Sequence, residues 1–366
     1  MIAVVTFAIG VAGLLVAANF VVSGSSELGL RFGLSPTVVG LTIVAAGTSA
    51  PELAVVGQAV ANGDTELAVG SIIGSNIANV LLVLGVVASI GAVRVESRVV
   101  RIDVPVMIVA SLLFVAVSLD NSITQVEAGL LFLGIVAFTV WTIRSTRSPR
   151  LPAAAPADGD SAGAESGPAA TRVGVLVGKL VLGVAGLALA ARLVVSGASS
   201  IASSLGVSEL IIGLTVVAIG TSAPEIITTV VAAARGQAEL AVGNAVGSNI
   251  YNVLFVLGAV GVFTPAGIAV SSEALALDLP VMIAAAVACV PVLVGDRVLN
   301  RWEGVMFLGY YVAYLTFLAL DASDHDATDS FILFFGWIVI PLTVITLVTV
   351  MVRQLRARAQ PVGDRA

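Results

Sequence analysis

The chain has 366 residues, of which 58% are hydrophobic and 11% are charged, and its mean hydropathy is +1.09. Soluble domains carry roughly 25% charged residues, so this composition excludes a soluble globular protein and indicates a membrane protein. The formal net charge of −6 gives no reason to expect nucleic acid as a partner.

Eleven apolar segments are long enough to cross a bilayer, which takes about 20 helical residues. They lack the alternation of barrel strands, and helices satisfy their own backbone polar groups inside a membrane. The first segment has no basic residues ahead of it, so we interpret it as a span rather than a cleaved signal peptide. The sequence therefore predicts an all-α polytopic membrane protein with spans near residues 2–22, 36–60, 67–91, 99–119, 125–143, 173–195, 209–234, 240–264, 276–295, 302–320 and 331–352.

The basic residues predict the orientation of these spans. If the N-terminus lies outside, all of the 17 Lys and Arg residues except Arg192, near the outer end of its span, fall on the cytoplasmic side. The outer loops then carry acids such as Asp64 and Asp120. We expect a multi-pass protein of the cell membrane with an outer N-terminus, a cytoplasmic C-terminus and a basic inner rim that suits anionic lipid head groups of the bilayer.

The chain contains an internal duplication. GTSAPE occurs at 47–52 and at 220–225, and LAVGSIIGSNIANVLLVLG at 67–85 matches LAVGNAVGSNIYNVLFVLG at 240–258, with one constant offset of 173 residues. Five crossings separate corresponding spans, so the two copies enter the membrane from opposite sides. Inverted repeats of this kind are a recurring plan of secondary transporters, with the ion site where the copies meet.

Four regions follow from this duplication. The segment at 144–172 is rich in Ala, Pro, Gly and Ser and predicts a flexible cytoplasmic linker. It separates a first repeat of five spans at 1–143 from a second repeat of five spans at 173–320. Residues 321–366 then form an acidic outer loop, an extra transmembrane helix and a basic cytoplasmic tail.

The duplicated motifs place polar side chains inside apolar spans. Residues three or four apart share one face of a helix, which groups Ser49 with Glu52 and Ser75 with Asn79. The second repeat offers the equivalent pairs Ser222 with Glu225 and Ser248 with Asn252.

These side chains point to a cation site built from both copies. Pro51 and Pro224 should kink their helices and leave backbone carbonyls free. Carboxylate, hydroxyl, amide and carbonyl oxygens suit Ca²⁺, Na⁺ or Mg²⁺ rather than zinc or copper. Two carboxylates would balance the charge of one divalent cation; the alternative is a pair of structural acids kept neutral by protonation.

At these residues the sequence resembles the cation/Ca²⁺ exchanger superfamily, in particular its sodium/calcium exchanger branch, whose two repeats carry G-T-S-x-P-E and G-S-N-I-x-N/D. The resemblance implies ten core helices, transported Ca²⁺ and Na⁺, no cofactor, and a sliding pair formed by the first span of each repeat. It further implies acidic ligands at Glu52 and Glu225, hydroxyl ligands at Ser49, Ser222, Ser75 and Ser248, backbone-carbonyl ligands at Thr48, Thr221, Ala45 and Ala218, and a central position completed by Asn79 and Asn252.

Two features depart from the family pattern. Potassium-dependent members often carry Asp where this chain has Asn252, which disfavours potassium co-transport. The eleventh span near 331–352 lies outside the ten-helix plan.

Several functions remain open at this point. The leading hypothesis is an electrogenic antiporter that couples inward Na⁺ flow to Ca²⁺ export, and the nearest rival is a Ca²⁺/H⁺ exchanger on the same scaffold. The Gly-Thr-Ser of both repeats favours sodium, because proton-coupled relatives typically show Gly-Asn there. An intramembrane hydrolase is disfavoured because the buried serines have no His or Lys partner in the membrane, so we expect no enzyme activity. A channel is disfavoured because inverted repeats around a charged site suit alternating access.

Overall fold

The structure is a computed structural model, and it describes residues 2–146, 169–206, 216, 218–294, 297–321, 323 and 327–359. Its helices are α1 (Ile2–Phe32), α2 (Pro36–Ala61), α3 (Thr65–Ile90), α4 (Val99–Ser118), α5 (Gln125–Thr146), α6 (Ala169–Ser204), α7 (Ala218–Thr221 and Ala223–Ala234), α8 (Ala238–Val262), α9 (Ala274–Val294), α10 (Arg301–Asp321) and α11 (Ala327–Phe334, Phe335–Val339 and Ile340–Ala359).

The predicted fold class is confirmed: the protein is an all-α polytopic membrane protein. Among the described residues, 10 helices are long and apolar enough to span a membrane, and they match ten of the eleven predicted spans. The remaining span at 209–234 falls partly on undescribed residues, and its described part forms the shorter apolar helix of α7. The predicted linker lies outside the described residues between 147 and 168, whereas α5 and α6 extend into both of its ends.

α1 and α6, the first helix of each repeat, run well past their predicted C-terminal ends. α1 continues to Phe32 and α6 continues to Ser204, beyond the predicted ends at 22 and 195. Arg192 therefore does not lie near the end of its helix, because three further turns follow it.

α1 and α6 form one closely packed antiparallel pair. A Cβ added to Gly10 would lie 2.7 Å from the backbone nitrogen of Val194, and one added to Gly183 would lie 3.0 Å from that of Val21. Gly10 and Gly183 are equivalent positions of the two repeats. Only glycine permits this approach, so each of the two helices contributes one equivalent glycine to the contact between them.

Four short strands join the repeats at their loops. β1 (Val93–Arg94) pairs antiparallel with β4 (Val298–Leu299), and β2 (Ser122–Ile123) pairs antiparallel with β3 (Ile268–Ala269). β1 and β3 follow the third helix of their repeats, whereas β2 and β4 follow the fourth. Each ladder therefore pairs the loop after the third helix of one repeat with the loop after the fourth helix of the other repeat, as an inverted arrangement requires.

The centre of the molecule consists of α2, α3, α7 and α8. α3 and α8 are the most buried of the spans, and α8 contacts the first half of α2 along the backbone. A Cβ at Gly40 would lie 2.2 Å from the carbonyl oxygen of Leu240, and one at Gly243 would lie 2.4 Å from that of Thr37. These approaches bring the polar motifs of the two repeats together.

α11 lies at the edge of the fold. It packs against α9 and α10, where the Tyr310 hydroxyl donates a hydrogen bond to the Thr343 hydroxyl and Leu347 is buried. Most of its other large apolar side chains, including Trp337 and Ile345, are exposed. The helix adds a peripheral span whose described contacts are with α9 and α10.

Candidate cation-binding site

Both GTSAPE motifs interrupt their helices. α2 breaks at Ser49, whose φ is −79° and ψ is 0°, and α7 breaks at Ser222, whose φ is −87° and ψ is 4°. Pro51 is the second residue of the helical segment that follows the first break, where its missing N–H costs no helical hydrogen bond. The predicted kinks are therefore present as breaks, and each motif starts a new helix N-terminus inside its span.

Each new N-terminus carries one acid. Glu52 lies in the first turn of Ala50–Ala61, and Glu225 lies in the first turn of Ala223–Ala234. Unsatisfied N–H groups and the helix dipole make this turn favourable for negative charge. The break thus supplies local stabilisation that an uninterrupted helix would not give to a carboxylate inside a membrane.

The two acids meet at the centre of the protein. Glu52 is 3% exposed and Glu225 is fully buried, and their carboxyl groups interact electrostatically with each other. Among the described residues, none of their four carboxyl oxygens has a hydrogen-bond partner. Burying such groups without partners is costly, so the arrangement calls for a positively charged occupant.

Neutral oxygen groups lie on the helices that surround these acids. The hydroxyls of Ser49, Ser75 and Ser222 are buried and have no partner within the described part of the chain. The side-chain amides of Asn79 and Asn252 are fully buried and equally unpaired there. The helical segment that carries Glu52 packs on Asn252–Leu257, and the one that carries Glu225 packs on Asn79–Leu84. Each acid-bearing segment therefore contacts the segment that begins with the other repeat's asparagine.

The remaining predicted ligands differ in how free they are. The Ser248 hydroxyl lies 3.3 Å from the Thr48 hydroxyl, and the Ala45 carbonyl accepts hydrogen bonds from the Ser49 N–H at 2.9 Å and from the Thr48 hydroxyl at 3.4 Å. Thr221 is half-buried, and Ala218 begins the first segment of α7. The Ala45 carbonyl, which the resemblance implied as a cation ligand, therefore already accepts two hydrogen bonds within α2.

Sequence reasoning missed a hydrogen-bond bridge between the repeats. The Thr48 hydroxyl lies 3.3 Å from Oδ1 of Asn244, whose Nδ2 donates to the Thr229 hydroxyl at 3.0 Å. Asn244 stands where the first repeat has Ser71. A position-by-position comparison of the two copies could have singled out this longer polar side chain.

A cavity of about 700 Å³ borders the acid of the first repeat. It lies between α2 and α6, reaches Glu52, and has mostly apolar walls that include Val55 and Val184. Arg192 and Ser196 of α6 contribute the polar side chains farther along that helix. Glu52 therefore borders this cavity on the α2–α6 side, while its two carboxyl oxygens themselves stay buried.

The donor set is oxygen-based. In the described ranges, no group of three or more His, Cys, Asp or Glu side chains could hold a metal ion. What the structure assembles instead is two carboxylates with hydroxyl and amide oxygens, which are hard ligands suited to Ca²⁺ or Na⁺.

The chain is similar to known proteins along most of its length. The profile described as sodium/calcium exchanger protein matches residues 2–144 and 175–320. The chain belongs to the sodium/calcium exchanger family. It is accordingly a membrane transporter that exchanges cations, and the sequence-based assignment to this family is confirmed.

Individual relatives cover most of the chain. It is 36% identical over 319 residues to CaxA of Alkalimonas amylolytica, which is provisionally named an antiporter. The aligned region covers 86% of this chain and 98% of CaxA. It is 31% identical over 344 residues to the sodium/calcium exchanger MaX1 of Methanosarcina acetivorans, with 85% and 96% covered. A solved structure of the sodium-calcium exchanger NCX_Mj, soaked with Na⁺ and Ca²⁺, superimposes with a TM-score of 0.71 at 25% identity, covering 86% of this chain and 98% of that one.

Proposed function

We propose that the protein is a secondary active antiporter of the cell membrane that exchanges Na⁺ for Ca²⁺ by alternating access. The observation that carries the proposal is the pair of buried, unpaired carboxylates of Glu52 and Glu225, one from each repeat, where the repeats meet. We assign the cation ligands to the residues predicted from the sequence: Glu52, Glu225, Ser49, Ser222, Ser75, Ser248, Asn79 and Asn252, with backbone carbonyls of Thr48, Thr221, Ala45 and Ala218.

The neutral oxygens favour metal cations over protons. A proton needs only a carboxylate, whereas a metal ion stripped of water needs several further oxygen ligands. The unpaired hydroxyls of Ser49 and Ser222 and the unpaired amides of Asn79 and Asn252 supply such ligands and have no use in a purely proton-binding site. The names of MaX1 and NCX_Mj point to sodium and calcium for those relatives, in agreement with this choice.

The site charge makes the exchange electrogenic. With asparagine at both central positions, the fixed charge comes only from the two glutamates, so one bound Ca²⁺ neutralises it. Three bound Na⁺ leave one net positive charge, and each half-cycle then moves a different charge across the membrane. The asparagine at 252 also argues against co-transport of potassium.

We place the N-terminus outside and the C-terminus in the cytoplasm, from the distribution of Lys and Arg. In this orientation α2 runs outward and α6 ends outside, so Val55, Arg192 and Ser196 lie in the outer part of the cavity wall. The segment at 144–172 serves as the cytoplasmic linker between the two repeats.

The decisive experiment is Ca²⁺ uptake into vesicles that contain the purified protein. An outward Na⁺ gradient should drive uptake well above the rate in Na⁺-free vesicles, and a proton gradient of equal size should not. Vesicles with Glu52→Gln protein serve as the matched control for leak. Uptake driven by the proton gradient alone would replace sodium by protons as the coupling ion.

A further inference from the structure

The two repeats differ one helical turn after their acids. The first repeat has Val55 and Val56 at these positions, and the second has Thr228 and Thr229. Both threonines are fully buried. The second repeat therefore places two hydroxyls inside the protein where the first has only apolar atoms.

The two threonines have different surroundings. Thr229 accepts a hydrogen bond from the side-chain amide of Asn244 at 3.0 Å. The hydroxyl of Thr228 has no partner among the described residues. A buried hydroxyl without a hydrogen bond lowers stability, so its presence calls for a reason other than folding.

Helical threonines usually satisfy their hydroxyl locally, by donating to the carbonyl four residues earlier. Thr42, Thr316 and Thr346 do so in this protein, at 2.6, 2.8 and 2.8 Å. Thr228 makes no such bond to Pro224. Its hydroxyl therefore makes no hydrogen bond to its own backbone and is available to a ligand.

The position of Thr228 on α7 identifies that ligand. Glu225 and Thr228 are three residues apart on the helix, so they are neighbours on its surface, and Ser222 caps the helix three residues before Glu225. The Ser222 hydroxyl and both Glu225 oxygens are also buried and unpaired within the described residues. Thr228 thus adds one more unpaired oxygen three residues beyond Glu225, about 4.5 Å farther along the helix.

We propose that the Thr228 hydroxyl is a further cation ligand, which holds a Na⁺ ion one turn beyond Glu225 on the α7 side of the site. The inference rests on the proposed function. A neutral oxygen adds no charge, so it suits a monovalent ion placed beside the carboxylate rather than a second divalent ion. Because Val55 occupies the equivalent place, the α2 side has no counterpart, and the ion positions are unequal in the two repeats.

The test compares Thr228→Val, which keeps the shape and removes the hydroxyl, with Thr228→Ser, which keeps the hydroxyl. Two quantities are measured on purified protein: the melting temperature without Na⁺ and Ca²⁺, and the NaCl concentration that gives half of the Na⁺-induced rise in melting temperature. Thr228→Val should keep or raise the ion-free melting temperature. It should also raise the half-saturating NaCl concentration about threefold to tenfold, from the loss of one ligand worth about 1 kcal/mol, while Thr228→Ser stays near wild type.

A purely structural hydroxyl would give the opposite pattern. A lower ion-free melting temperature of Thr228→Val with unchanged Na⁺ half-saturation would overturn the proposal, and so would unchanged half-saturation alone. Thr228→Ala, measured in the same way, replaces Thr228→Val if that variant does not fold. Because binding is read from melting temperature, wild-type vesicles that couple Ca²⁺ to protons would refute the proposed function and leave this test of Thr228 in place.

Discussion

The two sides of the central site are built from equivalent residues of the two repeats, but one side is closely packed and the other borders a cavity. On one side, α1 packs along Ala223–Ala234 of α7, with which it shares a buried apolar cluster. There the Arg235 guanidinium donates to Asn19, and the Ser26 hydroxyl donates to Gln237 at 2.8 Å. On the other side, the cavity that reaches Glu52 separates α6 from Ala50–Ala61 of α2.

The repeat offset shows what the open side lacks. By the repeat offset, Asn19 corresponds to Arg192 and Arg235 corresponds to Asn62. Each side therefore has one asparagine and one arginine that could pair, with their places on the two helices exchanged. Within the described part of the chain, Arg192 makes no hydrogen bond or ion pair. Since α1 and α6 are packed together through Gly10 and Gly183, closing one side should open the other.

The largest expected effect is the same for the acids of both sides. Glu52→Gln and Glu225→Gln should each abolish Ca²⁺ transport and leave expression unchanged, because removing one of two charges leaves Ca²⁺ unbalanced in a site of low dielectric constant. Transport is measured in vesicles and folding by size-exclusion chromatography. Near-normal flux in either variant would place the site elsewhere, and loss of folding in both would support structural acids.

Cross-linking should separate the two sides. In a Cys289→Ala background, a bifunctional thiol reagent about as long as an arginine side chain should cross-link Asn19→Cys to Arg235→Cys. The same reagent should cross-link Asn62→Cys to Arg192→Cys, and each cross-link should stop exchange. Both cross-links in one molecule are not expected, because only one side closes at a time. A four-cysteine variant that forms both at once, seen by mass spectrometry, would refute reciprocal closure.

Labelling of intact cells should show which side faces outward. We expect an impermeant thiol reagent to modify Ser323→Cys and to leave Ser148→Cys in the linker unmodified, both in the Cys289→Ala background. The reason is the segregation of Lys and Arg to one side. Modification of Ser148→Cys in intact cells would invert the assignment of the two sides.

A smaller effect should follow from weakening only the closed side. Arg235→Gln removes one solvent-exposed hydrogen bond, worth roughly 0.5–1.5 kcal/mol, so the population with an open α2–α6 cavity should fall about twofold to tenfold. The readout is the rate at which Ser196→Cys in that cavity reacts with a thiol reagent. Arg192→Gln is the matched control, and it should leave this rate unchanged or raise it.

The duplication explains how much the sequence could predict. Apolar length predicted the spans, the constant offset and the odd number of crossings predicted the inversion, and Pro51 and Pro224 predicted irregular helices at both motifs. These features depend on residues that occur in both copies. The offset could not show which side is closed, since both arrangements satisfy the same residues. It also drew attention to what the copies share, so the polar substitutions at Thr228 and Asn244, where the copies differ, were overlooked.

Helix length was the other limit. Gly24, Ser25 and Ser26 made α1 look shorter than it is, because small polar residues weaken an apolar segment. In the structure Gly24 and Ser25 are buried, and Ser26 donates to Gln237 across the closed side. Tertiary contacts thus extend the helix beyond the point where composition alone would end it.

Charge movement tests Na⁺/Ca²⁺ exchange at a site of two carboxylates most directly. Vesicles that contain the wild-type protein are given an outward Na⁺ gradient, and a potassium diffusion potential of either sign is imposed while Ca²⁺ uptake is measured. One net charge per cycle corresponds to about 2.3 kcal/mol per 100 mV, so the two signs should respectively speed and slow uptake. Uptake that is driven by Na⁺ but ignores the potential would contradict the three-sodium stoichiometry, and uptake that ignores Na⁺ would contradict sodium coupling itself.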